Sequence, residues 1–120
     1  MLTERLVEPT ALVLFGVGGD LAWRLITPAL FDLFADGRLP EKFSLIGFDR
    51  ADYDDDRLRD RLREGIVQFA RRGSRTADID AFVKQVQYVR GDLKDPAAYR
   101  RLVEVLEALD REWEARAQQV

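Results

Sequence analysis

Leu12-Val13-Leu14-Phe15 is a short apolar run that strikes Gly16, and Gly18 and Gly19 follow before the pattern turns helix-like at Asp20, Leu21 and Ala22. A strand that enters a helix through glycines is suited to holding phosphate. Gly16 can leave the strand at a backbone angle other residues resist. Gly18 and Gly19, lacking Cβ atoms, let a pyrophosphate approach the N–H groups that open the helix. Ala22, one turn further in, is small enough for close helix–sheet packing. Leu21 stands where the fingerprint Gly-x-Gly-x-x-Gly has its third glycine, so the bare pattern also fits a tight turn in any α/β domain.

Asp49 and Arg50 are the second pair with chemical potential, because they fall just past the next apolar run, Phe43 to Phe48. In a dinucleotide-binding unit that position lies beside the adenosine ribose. A guanidinium there grips a 2′-phosphate with paired hydrogen bonds, which favours NADP. A carboxylate there accepts the 2′-hydroxyl of NAD and repels a 2′-phosphate. NADP and NAD therefore both stay open. The plainer alternatives are a surface arginine at position 50 and, at Asp20, a helix N-cap.

Composition narrows the classes. The 120 residues are 47% hydrophobic and 34% charged, enough for one globular domain with a modest core. With no cysteine and no histidine, the chain lacks a disulfide framework, thiolate metal ligands and the commonest general base. The net charge of −3 argues against nucleic acid as a partner, since Asp54, Asp55, Asp56, Asp60 and Glu64 offset Arg57, Arg59, Arg61, Arg63, Arg71 and Arg72. Met1 to Thr10 carries Glu4 and Glu8 and has no apolar signal core, and no apolar run reaches membrane-span length. A cytoplasmic protein with no membrane partner is the expectation.

The elements that position these residues alternate. Ala11 to Phe15 reads as a parallel strand covered on both faces. The helix from about Asp20 meets Pro28, so either it kinks there or Thr27 caps a second start with Pro28 at its first position. Ala29, Leu30, Leu33 and Phe34 share one face up to Asp36-Gly37. Phe43 to Phe48 is the second strand. Asp54 to Asp56 offer N-caps for a helix with Leu58, Leu62, Ile66, Phe69 and Ala70 at helical spacing, ended by Gly73. Thr76 is a candidate cap for a short helix burying Ile79, Phe82 and Val83. Val86 to Arg90 is the third strand, and Asp95-Pro96 opens a helix with the stripe Tyr99, Leu102, Val103, Leu106, Leu109 and Trp113.

The order β-α-β-α-α-β-α predicts the first, three-strand half of a Rossmann-like, doubly wound parallel sheet. The first strand is central in the complete fold, so one of its edges is expected to stay unpaired here.

Phe15-Gly16-Val17-Gly18-Gly19-Asp20-Leu21-Ala22, Arg24, Pro28-Ala29-Leu30, Asp36-Gly37, Leu39-Pro40, Ile46-Gly47 and Arg50 together resemble the N-terminal coenzyme domain of the glucose-6-phosphate dehydrogenase family. The likeness continues through Tyr88-Val89, Gly91-Asp92, Pro96, Tyr99 and Leu102. It implies one N-terminal dinucleotide-binding domain over residues 1–120, with the C-terminal catalytic part absent. It also implies an oxidoreductase that takes glucose 6-phosphate to 6-phosphogluconolactone with NADP, in the pentose phosphate pathway. By resemblance Gly16, Gly18, Gly19, Asp20, Leu21 and Ala22 form the phosphate turn, and Arg50 meets the 2′-phosphate.

Departures bear on catalysis. Trp23 and Leu25 stand where the family pattern has lysines, the second of them an active-site cation. Gly18 replaces a serine or threonine, leaving its backbone N–H to serve, and Asp49 replaces a small residue. Nothing matches the family's catalytic histidine, so the chain alone is expected not to turn over glucose 6-phosphate. Three readings stay open: a portion of a dehydrogenase, a noncatalytic nucleotide-binding module, and a degenerate partner subunit.

Overall fold

The computed structural model describes residues 8–71 and 75–118. Among these residues three strands, β1 (Thr10–Phe15), β2 (Phe43–Asp49) and β3 (Val86–Arg90), form one parallel sheet in the order β1-β2-β3. The register runs from Thr10 opposite Phe43 to Phe15 opposite Phe48, and from Leu45 opposite Val86 to Asp49 opposite Arg90. All three carboxyl ends therefore meet at one end of the sheet. The expected open edge is present: among the described residues no strand flanks β1 on its outer side, and Leu12 and Phe15 are 38% and 48% exposed.

Among the described residues four α-helices cover the sheet: α1 (Thr27–Ala35), α2 (Asp55–Phe69), α3 (Thr76–Val83) and α4 (Pro96–Gln118). Side chains alternate across a strand, so β2 sends Phe43 and Leu45 to one face and Ile46 and Phe48 to the other. The first face packs with Phe31 of α1, Leu58, Leu62 and Ile66 of α2, and Ile79, Phe82 and Val83 of α3. The second packs under α4 with Ala98, Leu102, Leu109 and Trp113. Tyr99 and Val103, expected in the α4 stripe, are instead exposed, because they lie to one side of the strip that touches the sheet. Among the described residues no helix is long and apolar enough to cross a membrane.

Helix ends follow local chemistry, with three corrections. Asp54 caps α2 by accepting from the Arg57 amide at 2.8 Å, and Asp95 accepts from Ala97 N at 3.0 Å at the start of α4. Thr76 is no cap: Arg75 occupies the cap position, and no side chain bonds the opening amides. Gly73 lies outside the described residues, and α2 ends at Phe69 with an extended Ala70 behind it.

The third correction concerns one of the two readings left open at Thr27 and Pro28, the second helical start. The helix is continuous from Asp20, and a π-helical turn over Ala22–Ile26 leads directly into α1. Thr27 is buried within it, and both its amide and its hydroxyl donate to the Ala22 carbonyl, the hydroxyl at 2.7 Å. The π turn lies directly before Pro28, whose ring would clash with the Arg24 carbonyl in a regular α-turn.

Candidate functional site

Gly16 ends β1 with φ +75°, and its amide donates to the Phe48 carbonyl at 2.8 Å. That left-handed angle turns the chain off the sheet, and only glycine adopts it without strain. Val17 is then fully buried over β2. A Cβ on Gly47 would come within 2.7 Å of its Cγ1, so the missing side chain of Gly47 is what lets the turn sit down on the strand. The Gly19 amide donates to the Gly16 carbonyl at 2.9 Å. The Gly19 carbonyl accepts from Trp23 N at 3.2 Å, which makes Gly19 the cap and Asp20, Leu21 and Ala22 the first helical turn. Amides of a first turn have no intrahelical acceptor.

The three glycines are not equivalent, and the Gly18 N–H, read from sequence as able to serve a coenzyme phosphate, is engaged within the chain. Gly18 N–H donates to Asp49 Oδ2 at 2.8 Å. A Cβ on Gly18 would lie 2.9 Å from that same oxygen and 3.2 Å from Tyr53 Cε2, so Gly18 accommodates Asp49 and Tyr53. Gly19 is engaged with Gly16. The space in front of Gly16 is open, with no atom within 4 Å of where its Cβ would be. Asp20 does not cap the helix either. It lies inside the first turn and pairs with Arg24 at 3.4 Å, one turn on. Ala22 is buried as expected, and Leu21 is exposed.

Beyond the strand ends lies a cavity of about 410 Å³, lined by Phe15 and Gly16 of the first turn, Phe48, Asp49 and Arg50 of the second, and Gly91 to Lys94 of the third. Crevices at the carboxyl ends of an open parallel sheet are where such folds bind ligands. Of the sequence-predicted site residues, Gly16 and Arg50 line this cavity. Gly18, Gly19, Asp20, Leu21 and Ala22 follow Gly16 along the chain and do not line the cavity. Arg50 is largely exposed, with Nη1 4.0 Å from Asp92 Oδ2, a loose contact in which the guanidinium keeps donors to spare. Asp49 is tightly held: Oδ1 accepts from the Arg50 amide at 2.7 Å and Oδ2 from Gly18.

A support that sequence reading missed fixes this corner. The Tyr88 hydroxyl on β3 donates to the carbonyls of Asp49 at 3.0 Å and Ala51 at 2.6 Å, and the Asp49 carbonyl also accepts from Gly91 N at 2.9 Å. Burial, and next the charge of Asp49, push the Tyr88 phenol up from 10.0 to about 12. The tyrosine pins the backbone from which Asp49 and Arg50 project.

The two departures after the turn lie elsewhere. Trp23 faces α2, where its indole Nε1 donates to the Arg61 carbonyl at 3.1 Å and its ring meets Phe69 edge-on at 5.1 Å. Gly65 of α2 makes room for it, since a Cβ there would lie 2.7 Å from the Trp23 carbonyl and 2.8 Å from Cδ1. Glycine inside a helix was the available signal. Leu25 is 62% exposed and lines a separate groove with Arg24, Pro28, Ala29 and Phe69, away from the strand-end cavity. Among the described residues no cluster of acidic side chains could hold a metal ion.

Comparison with known proteins agrees with this geometry. Residues 13–120 match the family model described as glucose-6-phosphate dehydrogenase, NAD binding domain. The chain is 35% identical over 108 residues to glucose-6-phosphate 1-dehydrogenase 2 of Mycobacterium bovis, covering 90% of this chain and 21% of that protein. It is 30% identical over 114 residues to the glucose-6-phosphate 1-dehydrogenase of Chlamydia pneumoniae, covering 95% and 22%. A glucose-6-phosphate dehydrogenase solved with its substrate glucose 6-phosphate superposes with TM-score 0.81 at 26% identity, covering 92% of this chain and 23% of that one. The Mycobacterium avium enzyme gives TM-score 0.73 at 32% identity, over 81% and 21%. The chain thus spans about a fifth of the length of the relatives it matches. It belongs to the glucose-6-phosphate dehydrogenase family and carries the Rossmann-like, NAD-binding domain of that family.

Proposed function

We propose that this chain is the coenzyme-holding domain of a glucose-6-phosphate 1-dehydrogenase, an oxidoreductase that takes glucose 6-phosphate to 6-phosphogluconolactone in the cytoplasm, and that its coenzyme is NADP. The observation that carries the reading is the Gly16 turn, whose left-handed backbone and open face lead from a strand-end cavity to a first helical turn of unpartnered amides. In this reading the amides of Asp20, Leu21 and Ala22 receive the pyrophosphate. The pairing of Asp20 with Arg24 offsets the carboxylate's repulsion of that anion. Arg50, loosely held and exposed at the end of β2, takes the 2′-phosphate.

The nicotinamide supplies the hydride acceptor. Taking the sugar hydroxyl proton requires a base, and the chain contains no histidine. The reading therefore gives these residues binding and orientation. The base and the sugar-phosphate site belong to a C-terminal domain or a partner subunit, and the 120 residues alone do not turn over glucose 6-phosphate.

Calorimetric titration of the protein with NADP and NAD tests the assignment. Arg50→Ala is expected to weaken NADP by about 1.5–3 kcal/mol, the range for a hydrogen bond to a charged group, and to affect NAD much less. Equal losses for both coenzymes would remove Arg50 from the 2′-phosphate. Failure of the folded protein to bind either one would overturn the reading itself.

A further inference from the structure

The two outer edges of the sheet are finished differently. The Leu45 amide donates to the Gln85 carbonyl at 2.8 Å and the Gly91 amide to the Asp49 carbonyl at 2.9 Å, so the odd-numbered residues of β3 face β2, and Val86, Tyr88 and Arg90 turn their backbone groups outward. Side chains occupy those groups. Asp55 Oδ1 accepts from the Tyr88 amide at 2.8 Å. One turn further along α2, Arg59 donates to the Val86 carbonyl from Nε at 3.1 Å and from Nη2 at 2.7 Å, while its Nη1 lies 3.7 Å from Asp56 Oδ1. Arg101 of α4, on the opposite face of the sheet, donates to the Arg90 carbonyl at 2.6 Å. On β1 the Thr10 and Gly16 amides donate to the Lys42 and Phe48 carbonyls, which leaves Ala11, Val13 and Phe15 facing outward. Among the described residues no side chain bonds their backbone groups.

We propose that Asp55, Arg59 and Arg101 form an edge lock: they fill the hydrogen-bonding positions that a further strand would take, and so deny β3 to a second copy of this chain. A row of unpaired N–H and C=O groups at a sheet edge is a template for pairing with another chain, and the template on β3 is self-complementary. A two-fold axis at Tyr88 would set two β3 strands antiparallel, with Tyr88 opposite its counterpart and Val86 of one copy opposite Arg90 of the other. Each of those pairs exchanges N–H and C=O bonds. The lock holds three of the groups that this pairing needs, the Val86 carbonyl, the Tyr88 amide and the Arg90 carbonyl. Asp55 and Arg59 therefore have a directed role within a charged run whose signs otherwise offset one another.

Analytical ultracentrifugation over a range of protein concentrations tests this, with amide hydrogen exchange locating the contact and circular dichroism reporting the fold. In the wild-type protein, protection of the Tyr88 amide should not change with concentration. The variant carrying both Asp55→Ala and Arg59→Ala should rise towards twice the monomer mass as concentration increases, with slower exchange at Tyr88 and Arg90. Asp55→Ala alone should associate more weakly, and Asp55→Asn, which keeps an acceptor for the Tyr88 amide, should stay monomeric at β3. Arg101→Ala removes an exposed side chain and frees one carbonyl, so it should also associate weakly at the same edge and keeps the test open if the double variant does not fold. Wild-type mass at every concentration in the folded alanine variants would overturn the proposal. So would added mass whose protection falls at Ala11 and Val13 instead of Tyr88, Asp55→Asn associating as readily as Asp55→Ala, or Tyr88 protection that already rises with concentration in the wild type.

Discussion

Two glycines in this molecule are required by what lies against them, and the neighbours differ in kind. Gly65 is buried inside α2 under Trp23, with the indole hydrogen-bonded to the Arg61 carbonyl, the Phe69 ring against it and the Arg61 guanidinium 5.3 Å from the ring centre. Gly18 stands at the sheet end under Asp49 and Tyr53, where the partner is a carboxylate with acceptor capacity left over. The first contact closes a seam between two helices. The second orients a charged group at the edge of a cavity. A glycine shows that something approaches closely, and the chemistry of that neighbour says whether the contact serves packing or a ligand.

The contrast predicts separable effects. Gly65→Val carries the largest expected loss, since its side chain would press on both the Trp23 carbonyl and the indole. Overpacking of that kind costs about 3 kcal/mol, read as a lower denaturation midpoint in urea, while the ratio of NAD to NADP affinity stays at the wild-type value. A Gly65→Val protein of wild-type stability, or one with a shifted coenzyme ratio, would break the distinction between the two regions.

A smaller effect sharpens the sheet-end side. The Tyr88 phenol is raised to about 12 in the folded protein from an ordinary 10.0, so the protonated form is favoured on folding. Between pH 10 and pH 12 the unfolded chain has released this proton and the native protein has not. The Tyr88 contribution to stability is therefore present below pH 10 and is lost as pH rises towards 12. Tyr88→Phe should flatten that part of the stability profile relative to wild type. The difference between the wild-type and Tyr88→Phe curves reports the phenol. Superimposable slopes would show that Tyr88 does not pin the Asp49 backbone in the protonated form.

What the sequence makes legible is local. Apolar runs bounded by turn residues mark all three strands, and Asp54 and Asp95 mark their helix starts because capping acts across two or three residues. Gly16 is legible as the turn because its role depends on its own backbone angle. Partners distant along the chain leave no such trace. The sequence shows glycines at 18 and 65 and gives no sign that Asp49 meets one and Trp23 the other, so Gly18 reads as a phosphate contact and Trp23 only as a lysine missing from the family pattern. Likewise Thr27 has the residue type of a cap, but the π turn ahead of Pro28 draws it inside the helix.

The central claim is that the glycine turn holds a dinucleotide, and Gly19→Val tests it most directly. Gly19 caps the first helical turn, and its Cβ would already crowd the Gly16 carbonyl at 3.2 Å, so a branched side chain there intrudes on the path of a pyrophosphate. Calorimetric titration with NADP and NAD, alongside circular dichroism, should show saturable binding by the wild-type protein and none by a folded Gly19→Val protein, for either coenzyme. Undiminished affinity in that folded variant would contradict the account and move the binding site away from the turn.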